Sequence, residues 1–186
     1  MAQNIDPILR KILIDVGNLA NWLNRPRQDH QLEADALQGS IVCIGYSLLK
    51  FKMIRGPPSE NILEDVYHMG LITFLTTLFL QSNGRGFLKY TLVAQRLKDT
   101  VNRSLNQGDS AAIFWLLVVG SMSVLEQDDQ VWMTTRMSRA AELAGLESWG
   151  QARQLLLQFP WITAIHDDMG RKVWESSVKN TGTDSR

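Results

Sequence analysis

The sequence predicts an all-α fold, a single-domain helical bundle of roughly seven to nine helices. Three observations predict it. Apolar residues recur at helical rather than alternating spacing along nearly all of the 186 residues. Caps, prolines and glycines punctuate that pattern at helix-sized intervals. Five of the six tryptophans, Trp115, Trp132, Trp149, Trp161 and Trp174, fall at near-regular intervals in the last third, each within its own short helical pattern. Such spacing suits hydrophobic anchors that pin successive helices to one core.

The elements follow in order. Asp6-Pro7 is a helix start, a side-chain cap followed by proline at the first position. Ile8, Ile12, Leu19 and Leu23 then share one face, widened by Leu9, Leu13 and Val16, and Arg25-Pro26-Arg27-Gln28 ends the helix. A second helix is expected over 31–54, with Gly39 and Gly45 inside it as points of close approach to a neighbour, and Gly56-Pro57-Pro58 as its stop. Ser59 is placed to cap a third helix over 60–81, which is apolar nearly all round after Met69. A loop is expected at 82–86. Leu88, Leu92, Leu97, Val101 and Leu105 mark a fourth helix, and 110–125 a fifth.

A sixth is expected from Asp128 to Gly145. Ser148 and Gln151 form a capping-box pattern at the start of a seventh, which Pro160 discourages from continuing past Phe159. Gly170 is read as a turn before a last short helix over 172–178. The domain is assigned to 1–179, with 180–186 as a polar, frayed tail. The helices at 60–81 and 110–125 are expected to be central, with Trp115 and Trp132 well buried.

Composition narrows the function. Nineteen basic residues balance nineteen acidic ones, without the basic surplus of a chain that grips nucleic-acid phosphates. Arg25-Pro-Arg27 and Lys50-Phe-Lys52 are read as solvated loop or helix-end groups. The one cysteine, Cys43, can form neither an internal disulfide nor a thiolate cluster, and its apolar run Ile41-Val-Cys-Ile44 predicts a buried thiol. The N-terminus lacks the pattern of a signal peptide. The longest apolar runs, 69–80 and 111–119, fall short of the roughly 20 residues that span a bilayer. An intracellular protein, nuclear or cytoplasmic, without a membrane segment, is the expectation.

Candidate chemistry is sparse. Glu64 and Asp65 stand four and three residues before His68, so both carboxylates can approach its helix face. That arrangement admits an acid–base or two-residue metal site, or simply a pair that orients a side chain. His166-Asp-Asp168 diverges on a helix and is read as a loop or cap beside Gly170. No nucleophile elbow, phosphate loop or zinc-ligand pattern occurs, so no metal and no cofactor is assigned. Trp115, Met122, Trp132, Met133, Met137, Phe159 and Trp161 admit two readings. They form core, or they line a surface for an apolar small molecule or a protein partner.

The ordered run Phe114-Trp115-Leu-Leu-Val-Val-Gly120, Trp132, Leu143-Ala-Gly-Leu146, Ser148-Trp149, Arg153-Gln-Leu-Leu156, Phe159-Pro-Trp161, Gly170-Arg171 and Trp174-Glu175 resembles the C-terminal half of the fungal-specific transcription factor regulatory domain. This is the all-helical effector region of fungal zinc binuclear cluster regulators. The resemblance covers roughly 110–176 and is weaker over 60–106. It implies a helical regulatory domain that binds ligands or partners. The six cysteines of the family's DNA-binding module have no counterpart here, since Cys43 stands alone, so direct DNA binding is not expected. The leading expectation is a transcription-factor-like regulatory or ligand- or partner-binding domain without its own DNA reader. The alternative is a secondary-metabolism enzyme with an apolar pocket in a helical fold, in which His68, Glu64 and Asp65 are the first residues to test. A third is a homodimerisation module.

Overall fold

Asp6 opens the first helix as its residue type predicts. Its carboxylate accepts a 2.7 Å hydrogen bond from the Ile8 N–H and Pro7 takes the first helical position, so α1 spans Pro7–Leu23. Seven more helices follow: α2 Gln31–Phe51, α3 Ile62–Asn83, α4 Thr91–Ser104, α5 Ser110–Ser123, α6 Gln130–Leu143, α7 Trp149–Leu156 and α8 Thr163–Ser177. One 3₁₀ turn, Gln127–Asp129, precedes α6. The computed structural model describes residues 5–25, 31–83 and 90–178, with the backbone alone for 31–35 and 79–83. Among them there is no strand, and the chain is an all-α single-domain bundle. The predicted stop at 26–28, the start of the fourth helix at Leu88 and the tail at 180–186 lie outside the described residues, as does 84–86 of the loop expected at 82–86, whereas α3 continues through 82–83.

The two helices without a polar face take the centre, because only there is every side covered by protein. On α5 a continuous run from Ala112 to Gly120 is buried, and on α3 the run from Asp65 to Leu78 is buried. α3 and α5 pack on each other more extensively than any other pair. α4 lies against both. α1 and α2 pack on each other and on α3, α6 and α8 pack on α5 and on each other, and α7 bridges α5 and α8.

Local chemistry sets the ends. Asp109 caps α5 by accepting from the Ala111 and Ala112 N–H groups at 3.0 and 3.3 Å. α6 stops at Gly145, whose φ of 67° lets the Leu146 N–H reach the Ala141 carbonyl and its own N–H the Glu142 carbonyl. Ser148 caps α7, accepting from the Gln151 N–H, while Gln151 reaches back one residue further than the box pattern predicts, to the Glu147 N–H at 2.7 Å. At α3 the capping residue is Asn61, which accepts from the Leu63 N–H at 3.1 Å. Ser59 supports Asn61 instead of capping the helix itself.

Several expectations are corrected. α2 ends at Phe51 rather than 54. A Cβ at Gly39 or Gly45 would meet nothing within 4 Å, so neither glycine marks a close helix contact. Gly170 is not a turn: α8 runs through it, and 166–168 are helical. The glycine is there for packing, since a Cβ would stand 2.9 Å from Cη2 of Trp149 and 3.0 Å from Cη2 of Trp161. Trp132 is only half-buried, because α6 turns Met133, Met137, Ala140 and Ala141 inward and leaves the neighbouring direction at the edge. Cys43 is exposed. In the run Ile41–Ile44 the helix buries Ile44, half-buries Ile41 and turns Val42 and Cys43 outward.

Candidate functional site

Of the aromatic candidates singled out in the sequence, Trp115, Phe159 and Trp161 are interior and Trp132 stands at the edge. The Trp115 ring stacks on Phe159 with centroids 5.2 Å apart and planes 10° from parallel, and its Nε1–H donates to the Pro160 carbonyl at 3.2 Å. Trp161 donates its Nε1–H to Asp167 Oδ1 at 2.8 Å, and Arg153 holds the other oxygen of Asp167 at 2.9 Å. Met122, Met133 and Met137 are buried, and Met133 Sδ accepts from the Ser177 hydroxyl at 3.3 Å. Of these candidates, Phe159 and Trp161 border a crevice of about 280 Å³ beside α1, with Leu13, Gly17 and Tyr67 among its walls.

His166 sits at the heart of this interior, fully buried between Phe74 and Trp161. Its Nδ1 accepts from the Ile162 N–H at 3.0 Å, so the ring proton belongs on Nε2, which lies 2.9 Å from the Thr77 hydroxyl oxygen. Thr77 in turn donates to the Phe74 carbonyl. Both ring nitrogens are thereby used by a neutral imidazole, and burial lowers its pKa to about 4.

The polar residues around His68 do not converge on it. His68 is buried and its Nε2 donates to the Leu48 carbonyl at 3.1 Å. Burial lowers its pKa; the Leu48 carbonyl and Asp65 pull the other way, while Lys52 and Arg96 add to the lowering. Asp65 turns instead to Lys52, Arg103 and the Ser59 N–H. Burial alone would raise its pKa, but those hydrogen bonds outweigh it and hold the carboxyl below its ordinary value. Lys52 is therefore a partner of a buried carboxylate and not a solvated helix-end group. Glu64 accepts from the Asp6 N–H and the Ser59 hydroxyl, tying the start of α1 to the start of α3. Asp65 and Glu64 meet at Ser59, and neither carboxylate hydrogen-bonds the His68 ring, which bonds Leu48. Among the described residues, no three His, Cys, Asp or Glu side chains gather as a metal-ligating group.

An open apolar feature lies elsewhere. A groove of about 700 Å³ runs between α1 and α2. On the α2 side it is lined by Ala36, Ser40, Cys43 and Ser47, small residues one helical turn apart, and their size leaves the space. Ile12, Leu19 and Ile44 form its apolar floor and Trp22 one wall, while the Lys11–Asp15 ion pair (2.8 Å) and Asn18 stand at its polar edge. The column of small residues was the available sequence signal for this groove. The apolar run Ile41–Ile44, which predicts a buried Cys43, hides that signal.

Compared with protein-family models, curated proteins and solved structures, the chain matches none. No helix among the described residues is long and apolar enough to cross a membrane.

Proposed function

We propose that this chain is a helical regulatory domain that takes up an apolar small molecule in the groove between α1 and α2. One observation carries the reading: an open apolar groove of about 700 Å³ with a tryptophan wall and a few polar groups at its edge. That volume lies within the range of ligand clefts, and apolar lining with sparse polar groups is their usual chemistry. The ligand expected is a largely hydrophobic molecule with one polar or charged end, the latter lying toward Lys11, Asp15 and Asn18. The interior around Trp115, by contrast, is filled by its own side chains, so the groove and not the tryptophan core supports the binding role. The resemblance of 110–176 to fungal transcription factor regulatory domains agrees with this reading, as does the even charge balance, which gives DNA no footprint. An acid–base role for His68 has less behind it, since its ring is engaged with a backbone carbonyl.

The test uses 1-anilinonaphthalene-8-sulfonate as an apolar, anionic probe at neutral pH. Saturable binding with a blue-shifted emission is expected, and Ser40→Trp, which fills the groove from its exposed side, should abolish it without lowering helicity. Binding undiminished in that variant removes the groove from the account. Tight, sequence-selective DNA binding by the chain in a gel-shift assay would remove the regulatory role without DNA contact.

A further inference from the structure

A buried phenol ordinarily donates its proton to the protein or to an ordered water. The indoles of Trp115 and Trp161 each find such a partner, in the Pro160 carbonyl and in Asp167. Tyr67 is 2% exposed, yet among the described residues its hydroxyl has no hydrogen-bond partner. Tyr67 borders the crevice of about 280 Å³ beside α1. That crevice opens on the other side of α1 from the groove, and the two share no lining residue. Gly17 leaves the space, since a Cβ there would meet nothing within 4 Å. Leu13, Phe159 and Trp161 supply apolar and aromatic walls. The turn on the far side has little polarity to spare. The N–H groups of Leu157, Gln158 and Phe159 donate to α7 carbonyls, Pro160 has no N–H, and the carbonyls of Pro160 and Trp161 accept from Trp115 and Asn24. Water in such a place meets one donor and few other groups, so it is held poorly, and an apolar molecule gains by displacing it.

We propose that this crevice is a second binding site, for a small, uncharged aromatic molecule whose single hydrogen-bond acceptor takes the Tyr67 hydroxyl as its donor. Size, walls and polarity set that class. An apolar cavity of about 150 Å³ holds one benzene ring. A crevice of about 280 Å³ therefore takes two fused rings and falls short of a drug-sized molecule. Phe159 and Trp161 favour a flat partner that can stack or meet them edge to face. None of the lining side chains is charged, so the acceptor is a neutral oxygen, as in an aryl ketone or a lactone, and not a carboxylate. Asn21 and Gln158 also border the crevice, but both are exposed and have solvent for their amides. Burial pushes the Tyr67 pKa up to about 12, and the Asp109 carboxylate adds to the rise. The hydroxyl is therefore a donor across the neutral range and never a phenolate there.

1-Tetralone and tetralin test this as a pair, because they share two fused rings and differ in the carbonyl oxygen. Each is titrated into the full chain and followed by the indole Nε1–H resonance of Trp161, whose ring lines the crevice, while Trp22 reports the groove separately. Both compounds should shift the Trp161 resonance saturably, the ketone with a Kd below about 1 mM, as suits a ligand of its size. Tyr67→Phe should keep the fold, to which the hydroxyl gives no hydrogen bond, and should weaken the ketone roughly fivefold relative to tetralin. Gly17→Leu, which fills the crevice, should abolish binding of both. The Tyr67→Phe comparison decides even if Gly17→Leu fails to fold. A shift confined to Trp22, no saturable shift at all, a ketone-to-tetralin ratio unchanged by Tyr67→Phe, or a folded Gly17→Leu chain that binds as the wild type does each overturns the proposal.

Discussion

Gly70 on α3 gives its missing side chain to Trp115 on α5. A Cβ at residue 70 would stand 2.8 Å from Cη2 and 2.9 Å from Cε3 of the indole, and nearer still to Cζ3. The two central helices approach as closely as they do because one contributes no side chain where the other contributes its largest. Gly70→Ala should therefore destabilise the fold by about 1–3 kcal/mol through overpacking, even though alanine favours a helix intrinsically. Gly17 on α1 is the control. A Cβ there meets nothing within 4 Å, so Gly17→Ala should stabilise by up to about 1 kcal/mol. Urea unfolding of both variants checks the pair, and shifts of equal sign would refute the packing argument.

The relation between Gly70 and Trp115 also marks what a sequence can show. The centrality of α3 and α5 was legible, because a helix apolar all round has nowhere else to go. The caps at Asp6 and Ser148 were legible, because their partners lie within three residues; the cap at Asp109 obeys the same local rule and went unread. What failed depended on direction or distance. Gly170 has the composition of a turn, and only the proximity of Trp149 and Trp161 shows why it sits inside α8. Cys43 lies in an apolar run whose helical phase turns it outward. Lys52, Asp65 and Arg103 come from three different parts of the chain, and no local pattern announces that they meet.

Asn24 caps a helix to which it does not belong. Its Oδ1 accepts from the Thr163 N–H at 2.8 Å and its Nδ2–H donates to the Trp161 carbonyl at 2.8 Å, whereas the residue before α8, Ile162, provides no side-chain cap. The end of α1 thus completes the start of α8. Asn24→Ala should cost about 1 kcal/mol, the usual effect of losing a cap. It should also raise hydrogen exchange at Thr163 more than at residues in mid-α8. Exchange that rises evenly along α8, or not at all, would show that the cap is idle.

Lys52 and Arg103 share the carboxylate of Asp65, with 3% of its side chain exposed. Removing its charge leaves two cations facing each other, so Asp65→Asn should destabilise by about 2 kcal/mol. That is less than for a fully buried pair, because Arg103 is 35% exposed and screened by solvent. The pH dependence has a defined sign. A carboxyl held below its ordinary pKa of 3.8 contributes stability that is complete above that value and is lost as pH falls through its folded pKa. Urea midpoints of wild type and variant should therefore converge on strong acidification. A constant gap down to the acid transition would exclude the ion-pair explanation.

His166 makes the corresponding prediction at milder pH. The folded ring binds its proton with a pKa of about 4, against 6.5 for the unfolded chain, because it is buried and both nitrogens already serve the neutral form. Between those values the unfolded state carries the proton and the folded state does not, so unfolding takes up a proton. Stability is then complete above the unfolded value, falls as pH drops from 6.5 toward about 4, and levels off below, as far as this residue is concerned. The size of the effect is roughly 3 kcal/mol. His68, also lowered by burial, adds to the loss in the same direction. Protonation at Nδ1 would break the bond from the Ile162 N–H, so the start of α8 should loosen first. The measurement is the urea unfolding free energy between about pH 7 and pH 4 for wild type and His166→Asn, which cannot titrate there. The variant should be less stable at neutral pH and its stability nearly flat across the window, with the residual slope due to His68. A wild-type curve that is itself flat would mean that the ring is not held in the neutral form by the fold.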